Sequence, residues 1–231
     1  MSGKDRKRLY LKNFFYEFLN LIYPSHCKIC GKKLRGNELL VCKDCIEKLN
    51  YFRLRENLIS LDKASNFYSF LIFEDIVKDF IHLFKYYGYV PIGESLVDFL
   101  MEKYSFDFLN DYDFYLPVPA HKRKLQERGF NQAELIAEWI FKDKDVKKFS
   151  LLKKIKYGIS QASLDKEGRI KNIRNSFEIK KGNYKEYEDK RIIVVDDILT
   201  SGATFFEIRK TLSPLKFERI DILTIATPRQ L

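Results

Sequence analysis

The sequence lacks any apolar run that approaches the roughly 18 residues needed to cross a bilayer. Its basic, aromatic N-terminal stretch imitates a secretory signal. However, charged and amide side chains interrupt that stretch, and no small-residue cleavage site follows it. We therefore expect a cytoplasmic protein. Internal repeats and low-complexity segments are also missing, and a content of 45% hydrophobic and 32% charged residues excludes a disordered or fibrous class.

The chain has 231 residues, enough for one domain of ordinary size and a small appendage. A core of that size needs no disulfide bonds for stability. An amphipathic, aromatic-rich helix is predicted over residues 9–22, followed by a cysteine-containing module and a short helix over 45–52. We expect residues 1–60 to form this N-terminal helix and zinc-binding module, and residues 61–231 to form the main domain.

The four cysteines all lie in one short window, as Cys27-Lys-Ile-Cys30 and Cys42-Lys-Asp-Cys45. Two residues between paired cysteines allow a tight turn that points both thiolates at one ion, and four thiolates suit a closed, structural Zn²⁺ site. Two disulfides or buried free thiols are the alternatives, and a cytoplasmic chain disfavours the disulfides. His26 adjoins the first cysteine and is an alternative ligand.

The net charge of +10 is distributed unevenly along the chain. Residues 1–60 carry a net +7 and residues 121–185 a net +10, whereas the intervening residues 61–120 carry a net −6. Basic zones attract phosphate groups on nucleotides, sugar phosphates or DNA. A solvated, lysine-rich surface is the alternative interpretation of the same pattern.

From residue 112 onward the pattern alternates between strand and helix. Extended runs are predicted at 115–119, 147–152, 191–195 and 219–226, with helices at 130–141 and 203–212. Alternation of this kind indicates a parallel sheet that is covered on both faces. We therefore predict an α/β fold with a parallel sheet of about five strands flanked by helices, and a small N-terminal four-cysteine zinc module.

The most informative run is a buried strand that ends in Asp196 and Asp197, followed by the loop Thr200-Ser201-Gly202-Ala203-Thr204 and a helix. Ligands of open α/β sheets bind at the carboxyl ends of strands. Backbone N–H groups at a helix N-terminus bind phosphate, and a glycine allows close approach. The two carboxylates suit ribose hydroxyls and Mg²⁺. The loop lacks the Gly-Lys-Thr/Ser ending of a nucleoside triphosphatase.

This run resembles the phosphoribosyl diphosphate (PRPP) fingerprint of type I phosphoribosyltransferases. A second run, from Pro117-Val-Pro119 through a dense basic turn to Arg128-Gly-Phe-Asn-Gln132, follows a predicted strand. With the four cysteines and Lys85-Tyr-Tyr-Gly88, these runs resemble the ComF family of competence-associated proteins. That family pairs an N-terminal zinc module with a type I phosphoribosyltransferase domain.

The resemblance implies roles for residues in three groups. The PRPP-binding residues would be Asp196, Asp197, Thr200, Ser201, Gly202, Ala203 and Thr204. The diphosphate-binding residues would be Lys122, Arg123 and Arg128, with Lys85 as a further candidate phosphate contact. The basic stretch 153–176 would be a mobile loop that closes over PRPP and carries Lys156, Gln161 and Arg169.

The resemblance also implies a function. We expect a protein that binds PRPP with Mg²⁺, carries structural zinc, and takes part in DNA uptake during natural transformation. Single-stranded DNA and competence proteins such as a helicase are its expected partners. The alternative is an active phosphoribosyltransferase, a glycosyltransferase of nucleotide or related metabolism, with no DNA role. No base-binding hood is recognisable, so the sequence does not name an acceptor.

Overall fold

The computed structural model describes residues 26–35, 38, 40–49, 65–157, 168 and 173–229. The chain divides into two compact units after Lys48. The amphipathic helix predicted over residues 9–22 lies outside the described residues. Within the described part, no helix is both long enough and apolar enough to cross a membrane.

The smaller unit is built around the two cysteine pairs. A tight turn follows Cys27, whose carbonyl accepts a hydrogen bond from the Gly31 N–H at 2.9 Å. Gly31 has a φ of 73°, which explains why glycine stands after the first pair. The second pair lies at the start of helix α1, Lys43–Glu47, which begins and ends earlier than the helix predicted over 45–52.

The larger unit contains strands and helices in alternation. The strands are β1 Phe67–Ile72, β2 Phe114–Pro117, β3 Lys147–Lys148, β4 Leu152–Lys154, β5 Phe177–Ile179, β6 Arg191–Ile198 and β7 Arg219–Thr227. The helices are α2 Asp75–Tyr87, α3 Val90–Lys103, α4 Lys122–Arg128, α5 Gln132–Phe141 and α6 Ala203–Leu212. Short 3-10 turns occupy Asp107–Asp111, Lys185–Tyr187 and Ser213–Leu215.

Five strands form one sheet in the order β1-β7-β6-β2-β3, and every neighbouring pair is parallel. The remaining strands, β4 and β5, form a separate antiparallel hairpin. The predicted α/β fold with a five-stranded parallel sheet flanked by helices is therefore confirmed.

The centre of the sheet is apolar on both faces, which is why residues 192–195 of β6 are a continuous run of β-branched residues. Ile192 and Val194 lie in the core cluster with Phe205 and Ile208 of α6. Ile193, between them, points to the other face and is equally buried. Helix α5 packs on β2 and β6, and α6 packs on β5 of the hairpin.

The sheet has a topological switch point between β2 and β6. From β2 the chain moves outward to β3, and it then returns to β6 and β7 on the other side of β2. A crevice therefore opens at the carboxyl ends of β2 and β6, where ligands of such sheets bind. Pro117 and Ile198 end these two strands.

Two predicted segments differ in the structure. The basic turn expected over 121–128 is a helix, α4, because a nitrogen of His121 accepts a hydrogen bond from the Arg123 N–H and Gly129 ends the helix in the left-handed region. The strand expected over 147–152 is wrong as one element. It divides into β3, on the main sheet, and β4, in the hairpin.

A buried polar cluster lies at the opposite, amino-terminal edge of the sheet. Asp221 on β7 is fully buried and accepts hydrogen bonds from the Tyr112 hydroxyl and from the Asn66 N–H at 2.6 Å. Arg219 Nε lies 2.8 Å from the same carboxylate. Burial and the bond to Asp221 raise the pKa of Tyr112, so the hydroxyl stays protonated and donates. This cluster joins β1, β2 and β7 far from the crevice.

Candidate phosphate-binding cleft and metal centre

The two carboxylates at the end of β6 occupy different environments. Asp197 is only 6% exposed, and its Oδ2 lies 2.6 Å from Lys85 Nζ of α2. Asp196 is half-buried, and its Oδ1 accepts a hydrogen bond from the Asp197 N–H at 2.9 Å. Lys85, expected to contact phosphate, therefore forms an ion pair with Asp197 that neutralises its charge.

The Asp196 carboxyl is unusually easy to protonate. Burial, followed by the charge of Asp197, raises its pKa to about 7, and the charges of Lys85 and Lys154 oppose that rise. Two acids held this close gain from a ligand that donates hydrogen bonds or carries positive charge. A bare phosphate would be repelled here, whereas a diol or a hydrated cation would be attracted.

The loop after the acid pair has the geometry of a phosphate cradle. Gly202 caps α6 with a φ of 71°, a left-handed conformation that glycine adopts without strain. Its carbonyl accepts the first helical hydrogen bond, from Phe206 N–H at 3.0 Å. Residues 200–204 line the crevice, so the N-terminus of α6 presents N–H groups and a favourable dipole to it.

The crevice is a cleft of about 710 Å³. Its walls come from the loop after β6, the segment 118–120 after β2, and helices α2 and α4. The Asn131 side chain holds the second of these walls by donating to the Val118 carbonyl at 3.1 Å. Five cationic side chains line the cleft beside the acid pair: Lys78, Lys85, Lys124, Arg128 and Lys154.

Two of these cations, Lys124 of α4 and Lys154 of β4, are partly desolvated. Burial lowers the pKa of both lysines. The positive charge of Arg128 lowers the pKa of Lys124 further, and the positive charge of Lys124 lowers that of Lys154 further. Within the described residues, neither lysine ion-pairs with a carboxylate. Partly desolvated positive charge in a cleft favours the binding of a polyphosphate ligand.

The structure separates the three predicted diphosphate-binding residues. Arg128 lines the cleft, but Lys122 and Arg123 are exposed on another face of α4 and do not line it. Arg123 instead packs over the Tyr157 ring, with Cζ 5.5 Å from the ring centroid. Lys124 takes the inward position, four residues before Arg128 on the same helix face. The i, i+4 spacing was the available signal once the turn is known to be helical.

Of the residues predicted for the mobile loop, Lys156 is described, and Gln161 and Arg169 lie outside the described residues. Lys156 Nζ donates to the Arg174 carbonyl at 2.9 Å and does not line the cleft. Lys154, two residues earlier, is the member of this stretch that enters the cleft. No sequence signal distinguished it from its neighbours.

The smaller unit brings its four cysteine Sγ atoms together, all within 4.8 Å of one another. The Cys27–Cys45 and Cys30–Cys42 Sγ separations are 3.8 and 3.6 Å. Tetrahedral zinc with bonds of about 2.3 Å requires sulfur atoms about 3.8 Å apart, so the group fits this metal. Among the described residues, this potential metal-binding group contains the four cysteines and excludes His26.

The electrostatics of the cysteine group also favour a bound cation. Burial would raise the pKa of Cys27, but N–H groups of Cys30, Cys42 and neighbouring residues hold it at about 7. Burial and the other three thiols strongly raise the pKa of Cys45. Four crowded sulfurs cannot all ionise unless a positive ion compensates them, and a zinc ion would supply that charge.

Comparisons with known proteins show that the chain is similar in sequence to competence proteins. It is 30% identical over 112 residues to Competence protein F of Haemophilus influenzae, an alignment that covers 48% of this chain and 48% of that protein. It is 25% identical over 207 residues to Competence protein ComFC of Bacillus subtilis, covering 86% of this chain and 76% of that one. The predicted resemblance to the ComF family is thus confirmed, and the first alignment spans about half of its relative.

No family model matches the chain. Among solved structures, a purine phosphoribosyltransferase from Pyrococcus horikoshii shares 17% sequence identity with it, at a TM-score of 0.33. That match covers 58% of this chain and 71% of the other.

Proposed function

We propose that the chain binds PRPP with Mg²⁺ in the cleft of its larger unit, as a phosphoribosyltransferase-like protein that serves DNA uptake. One observation carries the proposal. The acid pair Asp196–Asp197 and the phosphate cradle 200–204 share a single cleft with the desolvated cations Lys124 and Lys154. This arrangement suits a ligand with phosphate at both ends and hydroxyl groups between them.

Each part of the cleft would bind one part of PRPP. The cradle 200–204 would bind the 5′-phosphate through N–H groups and hydroxyls. Asp196 and Asp197 would accept hydrogen bonds from the ribose hydroxyls and help to hold Mg²⁺, whose chemistry is to neutralise the diphosphate as it leaves. Lys124 and Lys154 would bind the diphosphate oxygens.

The role in DNA uptake is supported by the relatives, because both are named as competence proteins. The second candidate, an active phosphoribosyltransferase of nucleotide or related metabolism, is supported by the cleft alone. The two functions differ in their readouts. Loss of the cleft residues should reduce transformation frequency in the first case, and release of diphosphate with a nucleophile should be measurable in the second.

The test of PRPP binding is calorimetry on a variant that carries both Asp196→Asn and Asp197→Asn. These changes retain size and remove charge. Hydrogen bonds to charged groups contribute about 1.5–3 kcal/mol each, so the double change should weaken PRPP binding about one-hundred-fold or more. Glu218→Gln, at the far edge of the sheet, is the matched control and should bind normally.

Ribose 5-phosphate is the ligand control, because it fills the cradle without engaging the diphosphate site. Circular dichroism and thermal unfolding establish that the double variant is folded. Equal PRPP affinity in the wild type and the folded double variant would show that this cleft is not the site. The enzyme hypothesis would then fail with it.

A further inference from the structure

The run Arg128-Gly-Phe-Asn-Gln132 leads from α4 into α5 and is in contact with more than one wall of the cleft. The Phe130 ring stacks on the Phe84 ring of α2, with centroids 5.6 Å apart at an interplanar angle of 24°. The Asn131 side chain donates a hydrogen bond to the segment after β2. The run therefore joins α2, α4 and the end of β2 around the ligand site.

Gln132 is a buried amide that bridges two of these walls. It is the first residue of α5 and is only 6% exposed. Its Oε1 accepts a hydrogen bond from Arg128 Nη1 at 3.3 Å, and its Nε2 donates to the Lys85 carbonyl at 3.4 Å. Lys85 lies in the last turn of α2, where carbonyl groups lack partners along the helix. One end of the amide therefore satisfies a helix end, and the other end fixes a cation.

The Arg128 guanidinium is held on two sides. Its Cζ lies 5.0 Å from the centroid of the Tyr86 ring, and Gln132 Oε1 accepts from its edge. A guanidinium has five N–H donors, and the bond to Gln132 uses one of them. Arg128 lines the cleft one helical turn after Lys124. A planar cation that is fixed in this way can bind two phosphate oxygens at once with little loss of side-chain entropy.

We infer that Gln132 is a positioning residue, which orients the Arg128 guanidinium for a diphosphate and thereby favours PRPP over ligands that carry a single phosphate. The inference rests on the proposed function, in which Lys124, on the same face of α4, binds the diphosphate. Because both ends of its amide are bonded to protein groups, Gln132 acts through Arg128 and not on the ligand itself.

The test measures the affinity of the full chain for PRPP, inorganic diphosphate and ribose 5-phosphate, each with Mg²⁺. Gln132→Met removes both hydrogen bonds at similar side-chain volume. Gln126→Met, at an exposed glutamine of α4, is the matched control and should bind all three ligands normally. Loss of the hydrogen bond to Arg128 predicts about three- to tenfold weaker binding of PRPP and of inorganic diphosphate in Gln132→Met. Binding of ribose 5-phosphate should weaken less than about twofold.

A double-mutant cycle separates positioning from a general structural effect. In an Arg128→Met background, Gln132→Met should weaken diphosphate binding by less than about twofold more, because the group that it orients is gone. Full additivity of the two losses, or equal weakening toward all three ligands, would overturn the inference. Thermal unfolding establishes that each variant is folded. If Gln132→Met does not fold, Gln132→Asn takes its place with the same expected loss, since its shorter amide cannot bridge Arg128 and Lys85.

Inorganic diphosphate also separates this inference from the proposed function. A wild type that binds inorganic diphosphate but not PRPP contradicts the proposed function, and the variants still decide the role of Gln132 on diphosphate alone. A wild type that binds neither ligand overturns both. Loss of PRPP and diphosphate affinity in Gln132→Met, absent in Gln126→Met and in the Arg128→Met background, supports the positioning role.

Discussion

Lys124 and Lys154 should dominate the electrostatic binding of the diphosphate, whereas the equally basic Lys122 should contribute almost nothing. The perturbation is replacement of each lysine by methionine, which retains length and removes charge. Lys124 and Lys154 line the cleft and are partly desolvated, and Lys122 is exposed on the same helix as Lys124. Charge is the only property that differs greatly between each variant and the wild type.

The magnitude follows from these environments. A charge-assisted hydrogen bond that water does not screen contributes about 1.5–3 kcal/mol, so Lys124→Met or Lys154→Met should weaken PRPP binding about 10- to 150-fold. An exposed cation contributes at most about 1 kcal/mol, so Lys122→Met should weaken binding no more than about fivefold.

Lys124→Met should also gain stability, because this partly buried cation lies beside the like charge of Arg128. Each kcal/mol gained raises Tm by about 2–4 °C in a domain of this size. Calorimetry with PRPP and Mg²⁺ and thermal unfolding without ligand together provide the assay. Equal loss of affinity in Lys122→Met and Lys124→Met, or no loss in Lys124→Met and Lys154→Met, would refute the reasoning.

Further predictions concern the metal, the buried carboxylate and the basic surface. Purified protein should contain about one zinc per chain, and Cys42→Ser should lose it while the α/β domain stays folded; a metal-free wild type with an ordered cysteine unit contradicts this. Tyr112→Phe should lower the free energy of unfolding by about 1–3 kcal/mol because Asp221 loses a buried donor, whereas Tyr115→Phe, whose ring packs on Phe141, should change it little. Single-stranded DNA should bind at least as well as duplex and more weakly as salt increases; affinity that is flat with salt contradicts a role of the basic zones.

The sheet and the acid loop could be predicted because local sequence determines them. The apolar run before Asp196 and Asp197 is β-branched, which favours a buried strand, and Gly202 is suited to the left-handed cap that α6 requires. The parallel direction of the strands follows from the alternation of strands and helices along the chain. These features depend on residues that are close in the chain.

The positions of the cationic side chains in the cleft could not be predicted, because they depend on tertiary structure. Lys154 enters the cleft because β4 pairs with β5, a pairing that separates it from the strand predicted over 147–152. Lys124 replaces Lys122 and Arg123 because 121–128 is helical, so its basic residues point in different directions. The buried position of Asp221 was equally hidden, since its partners Tyr112 and Asn66 are distant in sequence.

Because β1 pairs with β7, the parallel sheet can form fully only after β7 has been synthesised. Within the described part of the chain, β1 hydrogen-bonds along its length to β7 and to no other strand. During synthesis β1 therefore emerges long before β7, and until β7 forms its backbone edge stays unpaired and its apolar side chains stay exposed. Interruption of synthesis before β7 would leave both β1 and one side of β6 unpaired. A growing chain of this topology should therefore need protection from aggregation until its final strand has left the ribosome.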